Sequence, residues 1–231
     1  MIHYSAPGSG PEPATEPARH PTRRAVFSGI AALAGVPLLS ASLARAADYP
    51  PTDGAMQGFI LAKRRRPVAV EPFLDGRGNV RHFSDFRGQV LLVNFWATWC
   101  APCIREMPDL AALHTRLGGT DFSVLAISQD RGGAKIAQPF VRERLELPDL
   151  PVFYDPSSSL GRVMGVRGLP TTFLIDRRGR GVGYFTGVAN WDSKEAHALV
   201  RHVMREKDGM REEDEMREED GRAPQSPLDK A

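Results

Sequence analysis

The chain's 231 residues carry 30 lysines and arginines against 28 aspartates and glutamates, a net charge of +2, and residues 1–46 supply that whole excess with four arginines against two glutamates. The near-neutral remainder has no aromatic and basic recognition motif, which excludes nucleic acid as a partner. The length permits one domain of ordinary size with a real core and extra segments at both ends.

Residues 1–21 are rich in Pro, Gly, Ser and Ala without periodicity and read as a disordered leader. Thr22-Arg23-Arg24 then opens an uncharged, apolar-biased stretch, residues 25–44, and Ala44-Arg45-Ala46 places small residues at the spacing a signal peptidase prefers. This is an export signal. Its paired arginines resemble a twin-arginine signal, although Val26-Phe27 departs from the usual Phe-Leu order. The segment is read as cleaved, with a retained N-terminal membrane anchor as the alternative, since about 20 apolar residues span a bilayer. Either outcome puts the domain outside the cytoplasm, in the periplasm. Residues 47–66 read as a polar, Pro-containing linker whose basic run Lys63-Arg64-Arg65-Arg66 is expected to be a solvated surface.

The folded domain is placed at residues 67–207. Residues 68–73 and 80–83 flank Asp75-Gly76-Arg77-Gly78-Asn79 and predict a β-hairpin. Residues 90–95, apolar except for Asn94, predict a buried strand, and residues 104–117 have helical spacing. A second buried strand, residues 122–128, is expected to run parallel to the first by way of that helix. Residues 134–144 predict a helix marred by Pro139, residues 152–154 a short strand, and residues 160–164 a helical turn. Residues 172–175 and 183–186 flank Asp176-Arg177-Arg178-Gly179-Arg180, a second hairpin pattern, and residues 193–207 predict a closing helix capped by Asp192 or Ser193. Residues 208–231, where Met-Arg-Glu-Glu-Asp occurs twice, are too polar to build a core and read as a charged, disordered tail.

Cys100 and Cys103, the only cysteines, stand two residues apart where the strand of residues 90–95 gives way to a helix. The dipole and unpaired amides of a helix N-terminus stabilise an anion, and the reactive form of cysteine is its thiolate, with a pKa drawn toward roughly 7 in such settings. Cys100, one step outside the helix, is assigned as the attacking sulfur. Cys103, inside the first turn, would resolve the mixed disulfide, and Pro102 suits a turn where a missing N–H costs little. A structural zinc site needs about four ligands, and here only the isolated His114 accompanies the pair, so neither a metal nor a cofactor is expected. A purely structural bridge over so short a loop would stabilise by only about 2 kcal/mol. Redox exchange is the reading that remains ahead, with two unrelated free thiols as a bland alternative.

Val93-Asn94-Phe95-Trp96-Ala97-Thr98-Trp99-Cys100-Ala101-Pro102-Cys103, followed by Arg105-Glu106-Met107-Pro108, resembles the active site of TlpA-like thioredoxins, the exported thiol-disulfide oxidoreductases that include ResA and CcmG. The likeness extends at lower density over about residues 67–205. It implies an α/β, thioredoxin-like fold, a central mixed sheet flanked by helices, with an N-terminal β-hairpin extension. It also implies that Val166-Arg167-Gly168-Leu169-Pro170-Thr171 carries a cis-proline facing the cysteines. Gly168, Leu169 and Pro170 would then receive an extended client segment by strand addition through the Leu169 backbone. Trp99, with Ala101 and Pro102, would add apolar contact to the client, whereas Phe95, Trp96 and Trp191 are expected in the core. Ordinary thioredoxins carry a buried aspartate where Asn94 stands; ResA-like proteins place a glutamate at the position of Glu106. That likeness implies proton transfer between Glu106 and Cys103, against the alternative of a solvated glutamate favoured by the helix dipole.

The implied partners are exported client proteins with disulfides and a membrane thiol electron donor. The family's clients include apocytochrome c cysteines and copper-delivery proteins of cytochrome oxidase. Thr171 stands where CcmG-like proteins usually have glutamate, which argues against a dedicated cytochrome c role. Two rivals are a copper chaperone using the dithiol as a soft-metal site and a peroxiredoxin-type peroxidase. The first lacks the histidine of Sco-like chaperones; the second lacks its proline and threonine, since Val93 and Ala97 occupy those positions.

Overall fold

The computed structural model describes residues 50–206. The leader, the export signal and the charged tail lie outside the described residues.

The sheet is built around β4 (Val90–Trp96), every residue of which is buried. β5 (Phe122–Ser128) runs parallel to it on one side and β7 (Thr171–Ile175) antiparallel on the other. A strand covered on both faces must be apolar throughout, which is why the run of residues 90–95 shows no alternation. Val90, Leu92 and Trp96 enter one apolar cluster, with Met107, Leu110 and Leu113 of α1 (Ala101–Leu117). Leu91, Val93 and Phe95 enter the cluster on the opposite face. By the same alternation Asn94 faces α1.

Outward from β5 come β6 (Val152–Tyr154), parallel, and then the hairpin β2 (Phe73–Leu74) and β3 (Val80–Arg81). Outward from β7 come β8 (Gly181–Thr186) and β1 (Ile60–Leu61), both antiparallel, so the eight strands lie in the order β1-β8-β7-β4-β5-β6-β2-β3. Three further α-helices among the described residues are α2 (Ala134–Pro139), α3 (Ser159–Val163) and α4 (Lys194–Arg205). α4 is capped by Ser193, whose hydroxyl accepts the Ala196 N–H at 3.1 Å. This is the thioredoxin-like mixed sheet with its N-terminal hairpin.

Several local expectations change. The hairpin strands are shorter than their apolar runs, and Val70 is 82% exposed. Residues 54–66 are no passive linker. Met56 and Phe59 are buried, and Ile60–Leu61 pair with Tyr184 and Gly183. A Cβ on Gly183 would collide with the Ile60 carbonyl and the Phe59 ring, so the glycine permits this close approach. Of the basic run, Lys63 and Arg64 are exposed as expected. Arg65 is not: it pairs with Glu206 and with Asp176 (3.5 Å), tying the lead-in to the end of α4. Beyond Pro139, which cannot donate to the Lys135 carbonyl, the helix widens into a π-turn, Phe140–Arg144, with Leu145 N–H donating to the Phe140 carbonyl at 3.0 Å.

Candidate active site

β4 delivers the chain to one end of the sheet, and α1 starts there. Cys100 is the N-cap of α1; its Sγ accepts the Cys103 N–H at 3.3 Å, and Pro102 sits in the first turn. The two sulfurs are bonded, with Cα atoms 5.3 Å apart. Cys100 keeps 5% of its surface and Cys103 none, so an incoming group meets Cys100 first. Trp99 is 71% exposed beside it, while Phe95, Trp96 and Trp191 are fully buried.

The loop between β4 and the cysteines is held by a residue the sequence reading did not single out. Asp130, just past β5, accepts from the Thr98 N–H (2.9 Å) and hydroxyl (2.7 Å) and from the Ser128 hydroxyl (2.8 Å). No spacing rule links Thr98 with Asp130; only the parallel pairing of β4 and β5 brings them together.

β7 places the second segment. Thr171 lies opposite Phe95, so Gly168-Leu169-Pro170 stands at the same end of the sheet as the cysteines. The Leu169-Pro170 peptide is cis. The Pro170 carbonyl accepts from Gly187 N–H (2.9 Å) and the Gly168 carbonyl from the Thr171 hydroxyl (2.7 Å), while neither backbone group of Leu169 has a partner among the described residues. Gly168 is exposed, Leu169 half-buried and Pro170 buried.

Behind the disulfide, Cys103, Glu106, Met107, Leu110 and Leu113 form the buried stripe of α1. The solvated alternative for Glu106 does not hold: the side chain is fully buried. Oε1 accepts from Asn94 Nδ2 at 2.7 Å and Oε2 from the Ala189 N–H at 3.1 Å. The Trp191 indole N–H has no hydrogen-bond partner among the described residues, yet lies close enough to favour the carboxylate. Burial outweighs these donors and, with some repulsion from Asp109, pushes the carboxyl up to about 7. Asn94 also donates to the Thr172 hydroxyl (2.9 Å), and its own Oδ1 has no partner among the described residues. Asn94, Thr172 and Ala189 were not legible as Glu106's surroundings, because each comes from a different strand or loop.

The site thus contains a sulfur with slight residual exposure at a helix N-terminus, a fully buried sulfur bonded to it, and a carboxyl with its pKa raised to about 7 one turn along from the buried sulfur. Among the described residues, no three of His, Cys, Asp and Glu are grouped as metal ligands, and no helix is long and apolar enough to cross a membrane.

Comparison with known proteins points the same way. The Redoxin family model matches residues 62–200, more than half of the chain. The chain is 34% identical over 123 residues to the thiol-disulfide oxidoreductase ResA of Geobacillus kaustophilus, covering 53% of this chain and 69% of that relative. It is 35% identical over 124 residues to the thiol:disulfide interchange protein HelX of Rhodobacter capsulatus, covering 52% and 61%. A secreted thiol-disulfide isomerase from Corynebacterium glutamicum superposes with a TM-score of 0.52 at 30% identity, over 63% of this chain and 92% of that one. With a Cys-x-x-Cys pair at the head of α1 in a thioredoxin-like sheet, the chain belongs to the Redoxin family, among the TlpA/ResA/CcmG-like thiol-disulfide oxidoreductases.

Proposed function

We propose that the protein is an exported reductase of client disulfides, working through a Cys100–Cys103 dithiol. The Cys100 thiolate attacks one sulfur of the client bridge, forming a mixed disulfide and releasing the other client sulfur as a thiolate. Cys103, deprotonated, then attacks the Cys100 sulfur, releasing the second client thiolate and leaving the enzyme oxidised. The client gains two electrons as two thiolates, which take their protons from solvent, and a membrane dithiol donor returns two electrons to the enzyme in a second exchange. Glu106 takes the proton of Cys103 as it attacks and returns it on re-reduction. A carboxyl poised near neutral pH suits transfer in both directions. Leu169 pairs with the client backbone, and Trp99, Ala101, Pro102, Gly168 and Pro170 shape the surface around it.

The reductive direction is supported by the resemblance to ResA-like proteins, and export to the periplasm by the signal-like residues 22–46. Clients of the cytochrome maturation type, either haem-binding cysteines or cytochrome oxidase copper-delivery proteins, follow from the same likeness, with Thr171 favouring the second. The observation that carries the reading is the buried Glu106 carboxyl one turn from Cys103, which neither a structural bridge nor a two-sulfur metal site requires.

The test is trapping. A Cys103→Ala variant expressed in cells should hold clients on Cys100 as mixed disulfides, recoverable after acid quenching; a capture profile identical to that of the double cysteine variant overturns the client reading. Rates of exchange for Glu106→Gln across pH test the proton role, which is refuted if the profile matches that of the wild type.

A further inference from the structure

The end of the sheet that holds the disulfide carries exposed cations and hides its carboxylates. Arg105 follows Ala101 by one turn on the exposed face of α1. Arg131 is exposed and directly follows Asp130, whose carboxylate is bonded to Thr98 in the loop that ends in Cys100. Lys135 is exposed in the first turn of α2, and Arg162 and Arg167 are exposed on the approach to Gly168. Of these five, only Arg162 has a hydrogen bond, to the Ser157 carbonyl at 2.8 Å, and none has an ion pair among the described residues.

The neighbouring acids are otherwise engaged. Asp130 is 4% exposed and taken up by Thr98 and Ser128; Asp155 is 2% exposed and accepts from the Gly161 N–H at 2.9 Å. Glu106 is buried. Asp192 pairs with Arg116 toward the far end of α1, and Asp109 is half-buried two turns down the same helix. Unpaired cations at the sheet end that also exposes Trp99 (71%) and Val188 (43%) raise the local concentration of an anionic partner and steer its approach.

We propose that this rim recruits client disulfides flanked by aspartate or glutamate, the client strand lying along Leu169 with its acidic side chains reaching Arg131 on one side and Arg167 on the other. The inference rests on the disulfide exchange proposed above and adds the substrate class to it.

Three otherwise identical peptides, each with one disulfide flanked by Glu, Gln or Lys, separate the two ideas when offered to the reduced full chain. At low salt, where charges act over about 30 Å, the Glu peptide should be reduced about tenfold faster than the Lys peptide, with Gln between. The gap should close in high salt. Arg131→Glu with Arg167→Glu should reverse the order, and the corresponding double Lys variant should keep it. Equal rates at low salt, or an order that survives the charge reversal, overturn the proposal. So does equal reduction accompanied by arginine-dependent binding to phosphatidylglycerol vesicles, which would make the rim a lipid contact. Failure to reduce even the Gln peptide strikes the exchange reaction itself and removes the inference with it.

Discussion

Replacing Glu106 with Gln tests whether the carboxyl behind the disulfide is poised as its surroundings require. Burial moves this group from 4.5 to about 7, which at roughly 1.4 kcal/mol per pH unit is about 3 kcal/mol of tighter proton binding in the folded chain. Below 4.5 the carboxyl is protonated in the folded and unfolded chains alike, so it adds no pH dependence there. Between 4.5 and about 7 only the unfolded chain gives up its proton, so stability falls as pH rises. Above about 7 both forms are ionised and the loss is complete. Gln cannot ionise. It also cannot accept from both Asn94 Nδ2 and the Ala189 N–H in the wild-type manner, which costs about 1–3 kcal/mol at every pH. The two oxidised proteins, in which the cysteines do not titrate, should therefore be compared by urea unfolding from about pH 4 to about pH 8.5. The wild-type advantage should shrink by about 3 kcal/mol across that range. A difference independent of pH would mean that Glu106 titrates near its ordinary value and is not poised for exchange with Cys103.

Asn94→Leu removes the 2.7 Å donor to Glu106. The carboxyl should then titrate above its wild-type value of about 7, displacing the same inflection upward; an unmoved inflection would show that Asn94 has no hold on it. Asp130→Ala leaves the Thr98 N–H and hydroxyl without their acceptor. It should cost about 2 kcal/mol and speed hydrogen exchange at Thr98, and is refuted by wild-type protection there. Gly183→Ala drives a Cβ into the Ile60 carbonyl and Phe59 ring. It should cost about 1–3 kcal/mol and raise exchange across residues 56–61 first, whereas uniform loss of protection would contradict a local release of β1.

What the sequence made legible is what depends on neighbours along the chain. β4 and β5 are read from continuous apolar runs because a strand covered on both faces allows nothing else. The turn from β7 to β8 is read from Asp176 and Gly179, since the Asp176 carboxylate accepts the Arg178 and Arg180 N–H groups (3.0 and 2.9 Å) and Gly179 takes a φ of +78°. The cysteines' place at the head of α1 follows from the switch between two periodicities. β1 escaped because two residues give no period, and Arg65 because its partners, Asp176 and Glu206, lie more than a hundred positions away. Asp130 escaped for the same reason at shorter range.

Glu106 is the instructive case, since two local rules compete there. The helix dipole favours a solvated acid near the N-terminus, whereas the spacing Cys103, Glu106, Leu110, Leu113 places the same residue on the apolar stripe. Spacing wins, because turning Glu106 toward water would rotate Cys103 and Leu110 out of the core with it. The cost is met from β4, where Asn94 interrupts an otherwise apolar strand on the one face that meets α1. Each anomaly, a polar residue in a buried strand and an acid in a buried stripe, is destabilising alone and is partly offset by the Asn94 Nδ2 to Glu106 Oε1 bond. The pairing of a polar residue at each of two facing core positions is visible only once the strand and the helix are packed together, which is why neither anomaly alone located the titratable site next to the reactive sulfur.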